Sequence, residues 1–257
     1  MKGGFCIYYL NDKTAIITGV SHEKGIGAAV CRRFAKEGAD IFFTHWSADT
    51  GWPESFQKEI EDYGVRSNHA EIDLSHPDAA AHIMDRVSAV MDFPQILINN
   101  AAHSVRDSYK ELNAKILDDT YAVNMRSTFL LCTEFARRSM GTKNASGRII
   151  NMTSGQALGP MVNELAYAAT KGAISAFTVS LSAELAPLGI TVNAINPGPT
   201  DTGWMTGEIK EHLQPKFLSG RMGKPEDAAR LAAFLASEEA QWITGQIVNS
   251  EGGFLRS

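Results

Sequence analysis

The chain is expected to fold as one α/β domain, a doubly wound parallel sheet with helices on both faces. Strand-like and helix-like segments alternate along the 257 residues, as they must when parallel strands are joined by helical crossovers. The first strand and the first helix are separated by a glycine-rich turn. No linker, repeat or low-complexity tract interrupts the run, so nothing divides it into domains.

The elements follow in order. Thr14–Thr18 is a short apolar, β-branched run and reads as the first strand. Ile26, Ala29, Val30 and Phe34 mark the apolar face of a helix that Gly38 stops. Asp40–Thr44 is the second strand; Pro53 opens a helix through Phe56, Ile60 and Tyr63, ending at Gly64. A third strand over Arg66–Ile72 leads to Ser75, read as the N-cap of a helix carrying Ile83, Val87 and Val90. Ile96–Ile98 is the fourth strand, Asp118–Ser139 one long helix, and Arg148–Met152 the fifth strand. A helix over Leu165–Ala186 and strands at Ile190–Ile195 and Gln246–Asn249 complete the sheet.

Two segments carry chemistry. The first is Gly19-Val20-Ser21-His22-Glu23-Lys24-Gly25-Ile26-Gly27, between the first strand and its helix. Glycines there allow tight turns and close backbone approach to a pyrophosphate, which then sits on the positive end of the helix. The second is Tyr167-Ala168-Ala169-Thr170-Lys171, with Ser154 thirteen residues upstream. Positions i and i+4 share a helix face, so the phenol and the ammonium lie side by side. A fixed positive charge favours phenolate and is expected to bring the phenol below its usual value of about 10. Ser154 would orient the same substrate oxygen. Together they form a kit for moving a proton on or off a carbonyl or alcohol.

With Asn99-Asn100-Ala101-Ala102, Asn124, Pro197-Gly198-Pro199-Thr200-Asp201-Thr202 and the Gly220–Asp227 tail in the same order, the chain resembles the short-chain dehydrogenase/reductases. Within that family it is similar to the 3-oxoacyl-acyl-carrier-protein reductase type, over residues 10 to 254. The resemblance implies a Rossmann domain over 10–257, preceded by an N-terminal extension at 1–9. It makes Tyr167 the general acid, has Lys171 also bind the nicotinamide ribose, and has Ser154 hold the substrate carbonyl. Asn124 would hold a water leading to Lys171. Gly19, Ser21, Gly25, Ile26 and Gly27 would cradle the cofactor phosphates. Asp73 with Leu74 would meet the adenine, Asn99 and Ala101 the ribose side, and Pro197, Gly198, Thr200 and Thr202 the nicotinamide. There are three departures: five residues instead of three between the first two loop glycines, N-N-A-A for N-N-A-G, and Glu251 where Asp is commoner.

Cofactor choice is a question of charge. An acid at the end of the second strand would bind a ribose 2′-hydroxyl, whereas a 2′-phosphate needs the acid absent and a cation nearby. The strand ends Thr44-His45-Trp46-Ser47 with no acid, and Lys24 matches the basic position of the family's NADP-type loop. NADP(H) is the expected cofactor, with His45 and Trp46 bordering its 2′-position.

Net charge is −5 with mixed signs along the chain, which suggests neither a nucleic-acid nor a membrane surface. Cys6, Cys31 and Cys132 have no metal-ligand spacing and form no disulfide framework. Phe5–Leu10 is too short an apolar run for a signal peptide, so a cytoplasmic enzyme without metal is expected. The substrate is expected to be a carbonyl or secondary alcohol, with a 3-oxoacyl thioester of fatty acid biosynthesis in front. A sugar, polyol or other alcohol dehydrogenase, or an idle NADP-sensing or scaffold protein, are the alternatives. Trp204, Met205, Ile209, Leu213 and Phe217 cover the pocket or form ordinary helix core. Arg126, Arg137 and Arg138 are either a carrier-protein contact or a solvated face. Apolar residues on more than one face of the two long helices, with the family's habit, lead to an expected homotetramer.

Overall fold

The structure is a computed structural model that describes residues 9–140 and 146–256. Cys6 and most of the expected N-terminal extension lie outside the described residues. The strands are β1 (Thr14–Ile17), β2 (Asp40–His45), β3 (Ser67–Glu71), β4 (Ile96–Asn99), β5 (Gly147–Met152), β6 (Ile190–Asn196) and β7 (Ile247–Asn249). They form one sheet in the order β3-β2-β1-β4-β5-β6-β7, and every pairing is parallel. The order reverses between β1 and β4, where Ile16 pairs with Phe42 on one side and Leu97 on the other. A reversal of this kind leaves a crevice beyond the carboxyl ends of the strands.

The helices cover both faces. They are α1 (Ile26–Lys36), α2 (Trp52–Glu61), α3 (Ala79–Val90), α4 (Ala114–Thr120), α5 (Ser127–Ser139), α6 (Leu165–Leu185), α7 (Gly207–Leu213) and α8 (Pro225–Ala236). The side-chain period of two in a strand divides the core. Ala15, Ile17, Ile41, Phe43, Ile96 and Ile98 pack in one layer with Val30 and Phe34 of α1, Phe56 of α2 and Ala232 of α8. Ile16, Phe42 and Leu97 face the other layer with Ile83 of α3, Phe135 of α5 and Leu181 of α6. Central strands buried on both faces are the continuous apolar runs seen in the sequence.

Two boundaries differ from expectation. Ser75 is not the cap of α3, which begins at Ala79 after Asp78. The Ser75 N–H is donated to Asp73 Oδ1 at 2.8 Å and its carbonyl accepts from Arg126, so its backbone is held in a turn. The long helix also starts earlier, at Ala114, with the Asn113 side chain accepting the Ile116 N–H at 3.1 Å. It is interrupted by a π-helical segment, Tyr121–Arg126, which holds Asn124. π turns inside α-helices are frequent at functional sites.

Candidate active site

The crevice opens into a cavity of about 650 Å³ that runs from the ends of β1, β2 and β3 to Tyr167 and Pro197. Its floor is the contact between the β1 and β4 loops. Thr18 Oγ1 accepts the N–H groups of Asn100 and Ala101 at 3.0 and 3.1 Å. Asn100 Nδ2 returns bonds to the carbonyls of Thr18 and Gly19 at 2.9 and 3.0 Å. Gly19 has φ +71°, and a Cβ there would lie 2.4 Å from the Cα of Ala101. Only glycine suits that position. Beyond it Gly25 leads into α1 with no side-chain cap, so the first N–H groups of the helix are free for an anion.

The start of the lengthened loop is tied to the end of β2. Val20 is buried and donates its N–H to Thr44 at 2.8 Å, while Ser21 Oγ accepts the Trp46 N–H at 3.1 Å. Lys24 is turned outward. Its side chain is exposed and its stem lies beside Gly203, near Asp201, whose carboxyl is held below the usual range chiefly by Lys210 and only in small part by Lys24. The expectation that Lys24 faces the cofactor is therefore corrected: it does not line the cavity. An acid does stand near the β2 end, contributed by the neighbouring strand, since Glu71 accepts the Ser47 N–H at 3.2 Å.

Of the expected cofactor residues, Gly19, Ser21, Gly25, Ile26, His45, Trp46, Asp73, Leu74, Ala101, Tyr167, Lys171, Pro197 and Thr202 line the cavity. Others do not. Asn99 is corrected to Asn100, because the Asn99 side chain is committed to Asn151 Oδ1 at 2.8 Å and Cys132 Sγ at 3.2 Å in the core. Gly27 is buried beneath the loop, where a Cβ would come within 2.8 Å of Asn100 Nδ2. Gly198 and Thr200 shape a turn instead of the wall: Gly198 N donates to Asn196, and Thr200 Oγ1 to the Pro197 and Gly198 carbonyls. Sequence reading missed His22, Asn100 and His103, all cavity-lining. Only Asn100 carried a signal, as the second Asn of the N-N pair.

At the other end, α6 presents Tyr167 and Lys171 on one face, as their spacing requires, with Lys171 Nζ 5.4 Å from the centre of the phenol ring. Ser154, just past the end of β5, lies beside Tyr167 and acts to lower the phenol. Lys171 is fully buried and donates from Nζ to the Met152 carbonyl at 2.7 Å. The electrostatics reverse the expected direction. Burial, assisted by Glu164 and opposed by Ser154, pushes the Tyr167 phenol up to about 12. Burial also pulls the Lys171 ammonium down to about 8. Loss of water around both groups outweighs the attraction between them.

Asn124 is fully buried and braces three segments. Its Oδ1 accepts the His103 N–H at 2.6 Å, and its Nδ2 donates to the His103 carbonyl at 2.9 Å and to Thr170 Oγ1 at 3.1 Å. The start of α6 is held by Asp107, whose Oδ2 accepts the Ala166 N–H at 3.1 Å. In the segment expected to cover the pocket, Met205 and Phe217 are buried, while Trp204 is half exposed and donates to the Thr200 carbonyl at 3.0 Å. Arg126 bonds Ser75, and Arg137 and Arg138 pair with Glu134, so all three arginines have local partners.

The glycine cradle, the open helix end and a buried, unpartnered His45 Nδ1 fit a nicotinamide dinucleotide. Known proteins agree. A family model described as Enoyl-(Acyl carrier protein) reductase matches residues 19–255. The chain is 64% identical over 245 residues to the uncharacterized oxidoreductase YjdA of Bacillus subtilis (strain 168), covering 95% of this chain and 98% of that one. It is 31% identical to the 3-oxoacyl-[acyl-carrier-protein] reductase FabG of Aquifex aeolicus (strain VF5), covering 95% and 98%. A solved blue fluorescent protein from a metagenomic library, in complex with NADPH, superposes with a TM-score of 0.87 at 30% identity, covering 96% and 99%. By its sheet order, its crevice, its serine–tyrosine–lysine cluster and these likenesses, the chain belongs to the short-chain dehydrogenase/reductase family of oxidoreductases.

Proposed function

We propose that the protein is an NADP(H)-dependent carbonyl reductase whose substrate is a 3-oxoacyl thioester or a ketone of similar shape. The observation that carries this reading is Tyr167 and a buried Lys171 on one face of α6, Ser154 beside the phenol, both helix residues lining a cavity of about 650 Å³. The bound nicotinamide supplies the hydride. The chain supplies position and the proton. Ser154 donates its hydroxyl to the carbonyl oxygen and fixes the face presented. Tyr167, its phenol held at about 12, keeps its proton until an alkoxide develops and then donates it from Oη. The resulting phenolate lies within reach of the Lys171 ammonium, which stabilises it and also meets the ribose hydroxyls. Asn124 holds the loop at His103 and the first turns of α6 in register.

A strand end made of His45, Trp46 and Ser47 favours the phosphorylated cofactor, as does the NADPH held by a structural relative. The thioester reading rests on the likeness to the Aquifex reductase and carries a carrier-protein-bound acyl chain as the natural form of substrate. A homotetramer is supported by apolar side chains left exposed on the long helices, Leu130 of α5 and Leu165 and Val179 of α6. The cytoplasm suits the free thiols of Cys31 and Cys132.

The test is kcat/KM for NADPH and NADH with an acetoacetyl thioester and a panel of ketones, sugars and polyols. A clear NADH preference overturns the cofactor assignment, and faster turnover of a polyol overturns the substrate. NADPH binding without turnover of any carbonyl would make the protein a sensor.

A further inference from the structure

The cavity has a charge problem at its β2 end. A 2′-phosphate needs a positive partner, yet Lys24 is turned toward Gly203 and Asp201 on the opposite wall. What stands at the end of β2 is an imidazole pair. His45 lines the cavity, is 7% exposed, and lies with Nε2 3.1 Å from Nδ1 of His69 on β3. Its other ring nitrogen, Nδ1, is buried and has no hydrogen-bond partner among the described residues. A buried nitrogen left unpaired is costly, and a ligand oxygen removes the cost. Ser21, whose Oγ accepts the Trp46 N–H, brings its own hydroxyl proton to the same corner.

We propose that His45 recognises the 2′-phosphate of NADP(H) by taking up a proton from solvent on Nδ1 as the cofactor binds, while His69 Nδ1 accepts the Nε2–H and fixes the ring. The proposal rests on the NADP(H) assignment made above. The imidazole becomes an imidazolium whose Nδ1–H donates to a phosphate oxygen, and no other bond is made or broken.

The surroundings suit a proton that arrives with the ligand. The titratable groups facing His45 are His69 and Glu71 of β3 and Glu54 of α2; β1 contributes none. His22 and Asp73 line the same cavity. Burial first, then the neighbouring His69, holds the His45 imidazole below its ordinary value, with Glu71 and Glu54 pulling the other way. Burial holds His69 low as well. Both rings are therefore neutral at and above neutrality in the free protein, and a phosphate dianion raises the one it touches. The bound value then exceeds the free one, so the gain in affinity is complete below the free value and lost as pH rises through the bound value. Above about pH 7 a phosphate monoester is almost wholly dianionic and adds little slope of its own, so the slope is read between pH 7 and 8.5.

The experiment is calorimetric titration of the wild-type protein with NADPH and NADH between pH 6.5 and 8.5, in buffers of different ionisation enthalpy. NADPH should bind with uptake of a substantial fraction of one proton, and NADH with none. The ratio of the two affinities should fall with pH by up to about tenfold per unit. In His45→Gln, with folding checked by far-UV dichroism, uptake and slope should vanish and NADPH should weaken by at least about tenfold. In His69→Gln uptake should be partial. NADPH preference with no proton uptake overturns this proposal and leaves the cofactor assignment standing. So does uptake that persists undiminished in His45→Gln. A preference for NADH at pH 6.5 overturns the cofactor assignment itself and this proposal with it.

Discussion

Replacing Lys171 by Met should stabilise the cofactor-free protein while abolishing its turnover. The Lys171 ammonium is held at about 8 against an ordinary 10.5 because it is fully buried. At pH 7 the folded chain therefore carries a charged lysine at a cost of roughly 3 kcal/mol relative to the unfolded chain. Methionine fills a similar space without charge, but it leaves the Met152 carbonyl without the 2.7 Å bond from Nζ, a loss of about 1–3 kcal/mol. The net gain is about 0–2 kcal/mol, or a rise in Tm of up to roughly 8 °C for a chain of this size. Between about pH 8 and 10.5 the unfolded wild type binds more protons than the folded form, so its stability rises with pH through that window. By pH 9.5 the advantage of the variant should shrink by about 2 kcal/mol and vanish or change sign. Thermal unfolding of the two cofactor-free proteins at pH 7 and 9.5 measures this. A difference that stays constant with pH would show that Lys171 is not held charged at a cost, and the argument from burial would fall.

Three further perturbations follow from the same geometry. Tyr167→Phe keeps the ring and removes the proton donor, so turnover should fall by about 10²–10⁴-fold while NADPH binding measured by fluorescence persists; near-wild-type reduction of the best ketone would remove Tyr167 from the chemistry. Glu164→Gln takes away a negative charge that raises the Tyr167 phenol, so the basic limb of the pH–rate profile should move to lower pH, and an unmoved limb would mean that limb is not the phenol. Gly19→Ala places a methyl 2.4 Å from the Ala101 Cα at a left-handed φ of +71°, so dinucleotide affinity and Tm should both drop, and a variant equal to wild type would show that the β1 and β4 loops part easily.

The sheet was legible because buried parallel strands are short apolar runs and their helices carry a longer period, and both signals survive in one sequence. The pairing of Tyr167 with Lys171 was legible for a similar reason, since i and i+4 on a helix must share a face. Less accessible were facts about direction. Asn99 and Asn100 are neighbours of the same type, and only the end of β4 decides which enters the core and which the cavity. Lys24 precedes a glycine as expected, but in the lengthened loop, fastened to Trp46 through Ser21, its stem lies beside Gly203. Glu71 belongs to a different strand from the one inspected for an acid, and pairing alone brings it to Ser47. The signs of the Tyr167 and Lys171 shifts depend on burial, which a motif does not encode.

The π-helical turn at Tyr121–Arg126 sets the phase between the two halves of one helix. A surplus residue in such a turn offsets everything after it by about 100° relative to a continuous α-helix. The half before it points Thr120 inward, and the half after it points Leu131 and Phe135 at the sheet. Deleting a single residue within the turn would restore an unbroken helix, but the two inward stripes would then no longer share a side. Either the Asn124 brace or the packing of α5 would have to give way. This stretch should therefore be held to one length even where its exposed side chains are free to vary.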